Sequence, residues 1–123
     1  MSGDKLFLDT NIILYLLSGD ETLATFLDKK QLYISLITEL ELLGFGGITE
    51  KEENVIKDFL SQCKVIAING KVKEETIRIR KTYKTKLPDS IIIATALYLD
   101  LPLITSDIDF KKVDELSLIH YIK

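Results

Sequence analysis

The sequence predicts an α/β fold, a three-layer α/β/α sandwich with a mostly parallel sheet of four to five strands. Short apolar runs of strand length alternate with segments whose apolar residues recur at helical spacing. Strands separated by helices favour parallel pairing, because each helix returns the chain across the sheet. With 123 residues and only six glycines and two prolines, the chain is expected to form one domain over residues 1–123.

The first half of the chain contains three predicted strands and four predicted helices. The strands cover 5–9 (KLFLD), 32–35 (LYIS) and 64–68 (KVIAI). The helices are expected over 11–18, from 18 to about 29, over 38–45 and over 50–63. Three Ser/Thr-x-x-Glu patterns predict capping boxes, at Ser18/Glu21, Thr38/Glu41 and Thr49/Glu52. The Gly46-Gly47 pair is expected to end the third helix.

The second half adds two helices and two strands. A long, mostly basic helix is predicted over 71–83, and it breaks before Pro88 because the residue that precedes a proline is pushed out of the helical region. Pro88 is then suited to the first turn of a helix over 89–100. Strands over 101–105 and 116–122 complete the sheet, with the last strand at an edge.

Several classes of protein are excluded by what the sequence lacks. No apolar run approaches the ~18 residues of a membrane span, and the N-terminus lacks the features of a secretory signal. We therefore expect a cytoplasmic protein with no membrane partner. The single cysteine, Cys63, cannot form an internal disulfide or a paired-thiolate zinc site. The single histidine, His120, excludes a histidine pair, and both residues are expected to be structural.

Acidic residues stand where a parallel sheet gathers its ligand site, beyond the carboxyl ends of the strands. These positions are Asp9 after the first strand, Glu39 and Glu41 after the second, and Asp107 after the fourth. Asp89 opens the helix that leads into the fourth strand, and such a helix must begin at the same edge of the sheet. Carboxylates distant in sequence are therefore expected to converge on one rim.

Each acid alone also fits an ordinary helix cap, since carboxylates bind free amides and interact favourably with the helix dipole. Together they would repel, by roughly 3 kcal/mol for two carboxylates about 5 Å apart at an effective dielectric near 20. A bound cation removes that repulsion. Oxygen ligands without His or Cys suit Mg²⁺ or Mn²⁺, and such an ion can activate water for attack at phosphorus. The residues thus indicate phosphodiester hydrolysis.

Four segments in order, LFLDTNIIL, ISLITELELLG, KLPDSIIIATAL and LITSDIDF, resemble the PIN domain, in particular the VapC-like toxin ribonucleases of type II toxin-antitoxin systems. The resemblance spans about residues 5 to 110. It implies a Mg²⁺-dependent endoribonuclease, with Mn²⁺ as an alternative ion and RNA as the substrate. It also implies a cognate antitoxin, whose C-terminal segment binds a groove between the early helices, and a homodimer.

The resemblance also implies the site residues. The catalytic, metal-binding acids would be Asp9, Glu41, Asp89 and Asp107, with Asn11 and Thr105 as auxiliary polar positions. It selects Glu41 over Glu39, and only one of the two can face a metal because their directions on a helix differ by about 200°. Many relatives have a longer spacing before the last Asp. Asp109 is therefore assigned either to a second metal or to a hydrogen bond within its loop.

The segment 71–86 carries seven basic residues against two glutamates and leads to Asp89. A nuclease with a formal charge of −3 needs local positive potential, because phosphate contacts dominate affinity for nucleic acids. The alternative is a solvated helix face. Lys84 and Lys86 are the predicted RNA phosphate contacts, and Tyr83 either stacks on a base or packs.

Two other functions share sequence features with the nuclease. A phosphatase of the haloacid dehalogenase type also places Asp after its first strand, but it needs a second Asp where this chain has Asn11. A non-catalytic module could instead use the acidic rim to bind a basic partner. Cleavage of RNA that depends on a divalent ion separates the nuclease from the binding module.

Overall fold

The computed structural model describes residues 4–123 as a five-stranded, entirely parallel sheet with helices on both faces. The strands are β1 Lys5–Leu8, β2 Gln31–Ser35, β3 Lys64–Ile66, β4 Leu103–Thr105 and β5 Leu118–His120. Their order across the sheet is β3-β2-β1-β4-β5, so β5 lies at an edge. The predicted three-layer α/β fold and the edge position of the last strand are confirmed.

Six α-helices connect the strands. They are α1 Thr10–Leu17, α2 Glu21–Leu27, α3 Leu36–Leu43, α4 Glu50–Leu60, α5 Gly70–Tyr83 and α6 Leu87–Leu99. A 3-10 helix at Ile108–Lys112, which was not predicted, joins β4 to β5. Among residues 4–123, no helix has both the length and the apolar character needed to cross a bilayer.

Alternating side chains of the strands divide the core between the two faces of the sheet. Leu6 and Leu8 of β1 pack with α1, α2 and α4, while Phe7 between them packs with α5 and α6. All three side chains are at most 2% exposed. Strand side chains point to opposite faces in turn, so a run that is apolar throughout is what a strand covered on both faces requires.

The order of strands places a crevice beside β1. The chain proceeds from β1 to β2 and β3 on one side, and then returns to add β4 on the other side of β1. β1 pairs with both β2 and β4, and its carboxyl end is therefore the point where the strand order reverses. In open α/β sheets, helices diverge at this point and leave room for a ligand.

Two of the predicted capping boxes are wrong. Ser18 ends α1, with its hydroxyl donating to the Leu14 carbonyl at 2.7 Å, and α2 is capped by Asp20 instead. Ser35 caps α3 by accepting from the Ile37 amide at 3.1 Å, which leaves Thr38 inside the helix. A serine or threonine three residues before a glutamate is therefore not sufficient to predict an N-cap, because a neighbouring residue can cap the helix instead.

The third capping box is confirmed, as is the position of Pro88. The Thr49 hydroxyl accepts from the Glu52 amide at 3.1 Å, and the Glu52 carboxylate accepts from the Thr49 amide at 3.0 Å. Pro88 lies in the first turn of α6. Helix α3 ends at Gly44 rather than at the Gly46-Gly47 pair, and a Cβ at Gly44 would lie 2.6 Å from the Leu40 carbonyl oxygen.

The single cysteine and the single histidine both contact backbone carbonyl groups. Cys63 lies just beyond α4, half-buried, and its thiol donates to the Phe59 carbonyl at 3.5 Å. Burial raises the pKa of Cys63 to about 11, so the thiolate is scarce at neutral pH. The His120 Nε2 atom lies 3.2 Å from the Ser106 carbonyl oxygen, in the turn that follows β4.

Gly44→Ala should lower the free energy of unfolding by about 1 to 3 kcal/mol, because the added methyl group meets backbone rather than a movable side chain. Gly70→Ala is the matched control. Gly70 is the first residue of α5 and has open space around its Cα, so alanine there should be neutral or slightly stabilising. Urea unfolding of both variants measures the difference, and equal stabilities would contradict it.

Candidate active site

A cavity of about 570 Å³ opens beside the carboxyl end of β1. Its polar wall is formed by Asp9, Thr10, Asn11, Glu41, Glu52, Asp89 and Asp107. Its apolar wall includes Leu14 and Phe45, whose side chains are 45% and 68% exposed. The structure therefore brings the four predicted acids together next to exposed apolar surface, and it adds Glu52, whose carboxylate belongs to the capping box of α4.

Asp9 is the most buried of these acids, with 5% of its surface exposed. It caps α1, and its Oδ1 accepts from the Thr10 amide at 2.7 Å. Its Oδ2 accepts from the Thr105 hydroxyl at 2.6 Å. Burial raises the pKa of Asp9 to about 6, and the charges of Asp89 and Asp107 act in the same direction, while the two hydrogen bonds oppose them.

Thr105 connects the two strands that border the crevice. It is the last residue of β4, fully buried, and its hydroxyl donates to Asp9 across the sheet. The same oxygen accepts from the Asp107 amide at 3.0 Å. One side chain thus fixes the Asp9 carboxylate and the backbone that carries Asp107.

Asp89 lies in the first turn of α6 and is half-buried. Burial raises its pKa, and the negative charges of Asp107, Glu41 and Asp109 raise it further, against a lowering by the positive charge of Lys86. Negative charge on neighbouring carboxylates thus contributes to the raised pKa of both Asp9 and Asp89. Negative charge is concentrated there without enough positive charge to balance it.

The start of α6 is anchored by residues that the sequence analysis missed. The Ser90 hydroxyl donates to the Lys86 carbonyl at 2.7 Å and also contacts the Thr85 hydroxyl. Ser90 is fully buried and Thr85 nearly so. Polar side chains on either side of a predicted break could have suggested an anchored turn, and this one fixes the backbone of the adjacent Asp89.

Glu41 and Glu39 differ in position as the geometry of a helix requires. Glu41 lines the cavity, and its Oε1 accepts from the Thr10 hydroxyl at 2.9 Å, whereas Glu39 does not contribute to the cavity wall. Thr10 was not singled out from sequence. Its place directly after Asp9 is the signal that could have found it.

The remaining predicted site residues lie around the cavity rather than deep in it. Asn11 is exposed and lines it. The Asp109 amide donates to Asp107 Oδ1 at 2.9 Å, while its own exposed side chain is not part of the cavity wall. Lys84 and Lys86 are exposed between α5 and α6 and do not line the cavity.

Part of the basic segment is engaged in ion pairs instead of being free for a ligand. Arg78 pairs with Glu75 at 2.6 Å and with Glu115 at 2.8 Å. The Tyr83 hydroxyl donates to Glu115 at 2.6 Å, and the ring packs against the core on that face of the sheet. For Tyr83, packing is the interpretation that these contacts favour.

The carboxylate oxygens of the cavity are the groups that could bind a metal ion. Within residues 4–123, no three His, Cys, Asp or Glu side chains form a ready-made metal site. The ion pairs in the same range join Lys57 to Glu53 and Arg78 to its two glutamates, and none reaches the cavity acids. Unpaired carboxylates around a cavity fit a hard divalent cation, which binds through one or two carboxylates and keeps several waters.

Asp9→Asn should stabilise the metal-free protein near pH 8 but not near pH 4. The pKa of Asp9 rises from 3.8 to about 6 on folding, so the folded protein binds this proton more tightly than the unfolded chain. Stability is therefore lost as the pH rises from about 4 through about 6, by at most about 3 kcal/mol, and the amide removes that loss.

Urea unfolding in the presence of a chelator, at several pH values, measures this difference. Asp58→Asn, an exposed change on α4, is the control and should leave the pH dependence unaltered. An Asp9→Asn protein with the pH dependence of the parent would contradict the effect assigned to burial.

Comparison with known proteins agrees with this fold. The family model of the PIN domain matches residues 6–116. A chain of a toxin-antitoxin complex from Klebsiella pneumoniae is 34% identical, with a TM-score of 0.81 over 93% of this chain and 95% of that one. A chain of VapBC-1 from nontypeable Haemophilus influenzae is 26% identical, with a TM-score of 0.79 over 97% of this chain and 99% of that one.

A more distant likeness supports the fold alone. A chain of DNA-bound VapBC from Salmonella typhimurium reaches a TM-score of 0.83 at 19% identity, over 96% of this chain and 98% of that one. No curated protein sequence matches the chain. The family model nonetheless covers most of the sequence, including all the acids of the cavity, and the chain belongs to the PIN domain family.

Proposed function

We propose that this chain is a divalent-metal-dependent endoribonuclease, one nuclease domain over residues 1–123 that acts in the cytoplasm. Asp9, Glu41, Asp89 and Asp107 are its catalytic and metal-binding acids, and Mg²⁺ is the ion, with Mn²⁺ able to replace it. The observation that carries the proposal is the ring of unpaired carboxylates at the point where the strand order reverses. Membership of the PIN domain family supports it.

Each proposed role follows from the position of the side chain. Asp9 is held rigidly by two hydrogen bonds, as suits a group that must keep one geometry. Asp89 and Asp107 face it across the cavity, and the exposed Asn11 amide is available to orient substrate or water. A bound divalent ion would neutralise this charge and supply activated water for an in-line displacement at phosphorus.

The partner is proposed to be a cognate antitoxin protein. Solved neighbours are described as a toxin-antitoxin complex and as VapBC assemblies. In this chain, Leu14 and Phe45 leave apolar surface exposed beside the acids, which suits a peptide with both apolar and basic side chains. A homodimer is proposed on the family resemblance alone, and light scattering of the purified chain tests it.

Lys84 and Lys86 are proposed as RNA phosphate contacts. Lys84 adopts the left-handed conformation with φ of 56°, which favours glycine, yet the position holds a long basic side chain. The positive charge of Lys86 already acts on Asp89. Both lysines are exposed, and the loop that carries them leads directly into the first turn of α6, which holds Asp89.

The non-catalytic alternative shares the acidic rim and differs in metal dependence. A binding module would retain its partner but cleave no RNA with or without Mg²⁺. The phosphatase alternative lacks its second acid, because Asn11 occupies that place.

Asp89→Asn should abolish cleavage of a labelled RNA in Mg²⁺ buffer, because it removes one of the proposed ion-binding charges while keeping the side chain's shape. The loss should exceed the roughly 10- to 100-fold that partners of metal ligands contribute. Chelator should stop the parent protein to the same extent. Asp58→Asn is the control and should cleave normally. Cleavage at the parental rate by Asp89→Asn, or in chelator, would refute the assignment.

Lys84→Gly should move stability and RNA affinity in opposite directions. Glycine relieves the left-handed backbone, so the free energy of unfolding should rise by up to about 1 kcal/mol, while the loss of a phosphate contact weakens RNA binding. The slope of log affinity against log salt should fall by about 0.7 to 0.9.

Lys29→Gly is the matched control for this change. Lys29 has φ of 65° and lies just before β2, at the opposite edge of the sheet from the cavity. It should gain stability without changing RNA affinity. If the Lys84→Gly protein and its parent have equal RNA affinity and equal salt dependence, Lys84 is a solvated surface residue and not an RNA contact.

A further inference from the structure

Glu41 differs from the other three proposed metal-binding acids in how it is held. Its side chain is longer and exposed, whereas Asp9 is buried and fixed by two hydrogen bonds. Among residues 4–123, the Thr10 hydroxyl is the hydrogen-bond partner of the Glu41 carboxylate, at 2.9 Å, and no second one is present. A flexible exposed glutamate without this contact would populate several rotamers.

The direction of the hydrogen bonds around Thr10 follows from chemistry. An ionised carboxylate can only accept, so the Thr10 hydroxyl must donate its one proton to Glu41. The Thr38 hydroxyl lies 3.0 Å from the same Thr10 oxygen and must therefore be the donor in that pair. Thr38 is fully buried in α3, so the series Thr38 to Thr10 to Glu41 begins at a fixed point in the core.

Thr10 also contacts the other end of the acid cluster. Its backbone amide donates to Asp9 Oδ1 at 2.7 Å, in the first turn of α1. Thr10 therefore bonds through its amide to an acid that follows β1 and through its hydroxyl to an acid of α3. A single residue therefore contacts both of these carboxylates.

We propose that Thr10 is a positioning residue that holds the Glu41 carboxylate towards the cavity at a fixed distance from Asp9, with Thr38 as its buried support. The inference rests on the proposed function, because Glu41 is there a ligand of the divalent ion. The Thr10 hydroxyl polarises and orients the Glu41 carboxylate. Thr10 itself does not touch the substrate or the ion.

Binding of Mn²⁺ to the RNA-free protein, measured by electron paramagnetic resonance, tests the proposal. Thr10→Val keeps the shape and removes the hydroxyl, and it should weaken Mn²⁺ binding by about tenfold. Thr10→Ser restores the donor and should stay within about twofold of the parent. Thr76→Val is the matched control, because that buried hydroxyl bonds only within α5, to the Val72 carbonyl.

A double-mutant cycle separates positioning from general damage. In a Glu41→Ala background, Thr10→Val should cause no further loss of Mn²⁺ affinity, since the side chain that it positions is absent. Losses that multiply would overturn the proposal. Thr10→Val alone could fail to fold because it leaves the buried Thr38 hydroxyl without its partner. In that case the double variant Thr10→Val/Thr38→Val, which removes both hydroxyls, replaces it in the same cycle.

The outcomes distinguish this inference from the function on which it rests. A parent protein that binds Mn²⁺ and cleaves RNA, with a Thr10→Val variant of equal Mn²⁺ affinity, would overturn the role of Thr10 and leave the nuclease assignment in place. A parent protein that binds no Mn²⁺ would overturn both.

Discussion

The hydrogen bond from the Thr105 hydroxyl to Asp9 is the contact on which the site depends. It crosses from β4 to the residue after β1, at the point where the order of strands reverses. Pairing of these strands aligns their carboxyl ends, and the hydroxyl then fixes the orientation of a carboxylate that is nearly buried. The other acids gather around this pair because their helices begin at the same edge of the sheet.

Burial of Asp9 makes its ionised form costly and also contributes to the negative potential of the cavity. Desolvation, together with the charges of Asp89 and Asp107, makes the ionised form less favourable than in water. The same arrangement concentrates negative potential in a cavity of about 570 Å³ where no described cation pairs with the acids. A domain of marginal stability keeps such a cluster only because its large parallel core, on both faces of the sheet, compensates for it.

Most of the fold could be predicted from the sequence, because runs such as 6–8 are apolar at every position and alternate with helical segments. The convergence of acids followed from the rule that parallel strands end at one edge. The capping boxes at Ser18 and Thr38 failed because a local pattern does not reveal which of two nearby hydroxyls or carboxylates begins a helix. The contact of Thr10 with Glu41 could not be predicted, because the two residues are 31 positions apart and meet only in the folded chain.

The separation between Asp9 and Thr105 along the chain also bears on how the protein is made. These residues are 96 positions apart, so β4 can pair with β1 only after all the residues between them have been synthesised. At ordinary rates of synthesis the interval is on the order of 5 to 20 s. The four acids therefore cannot come together before the segment that carries Asp107 has been synthesised.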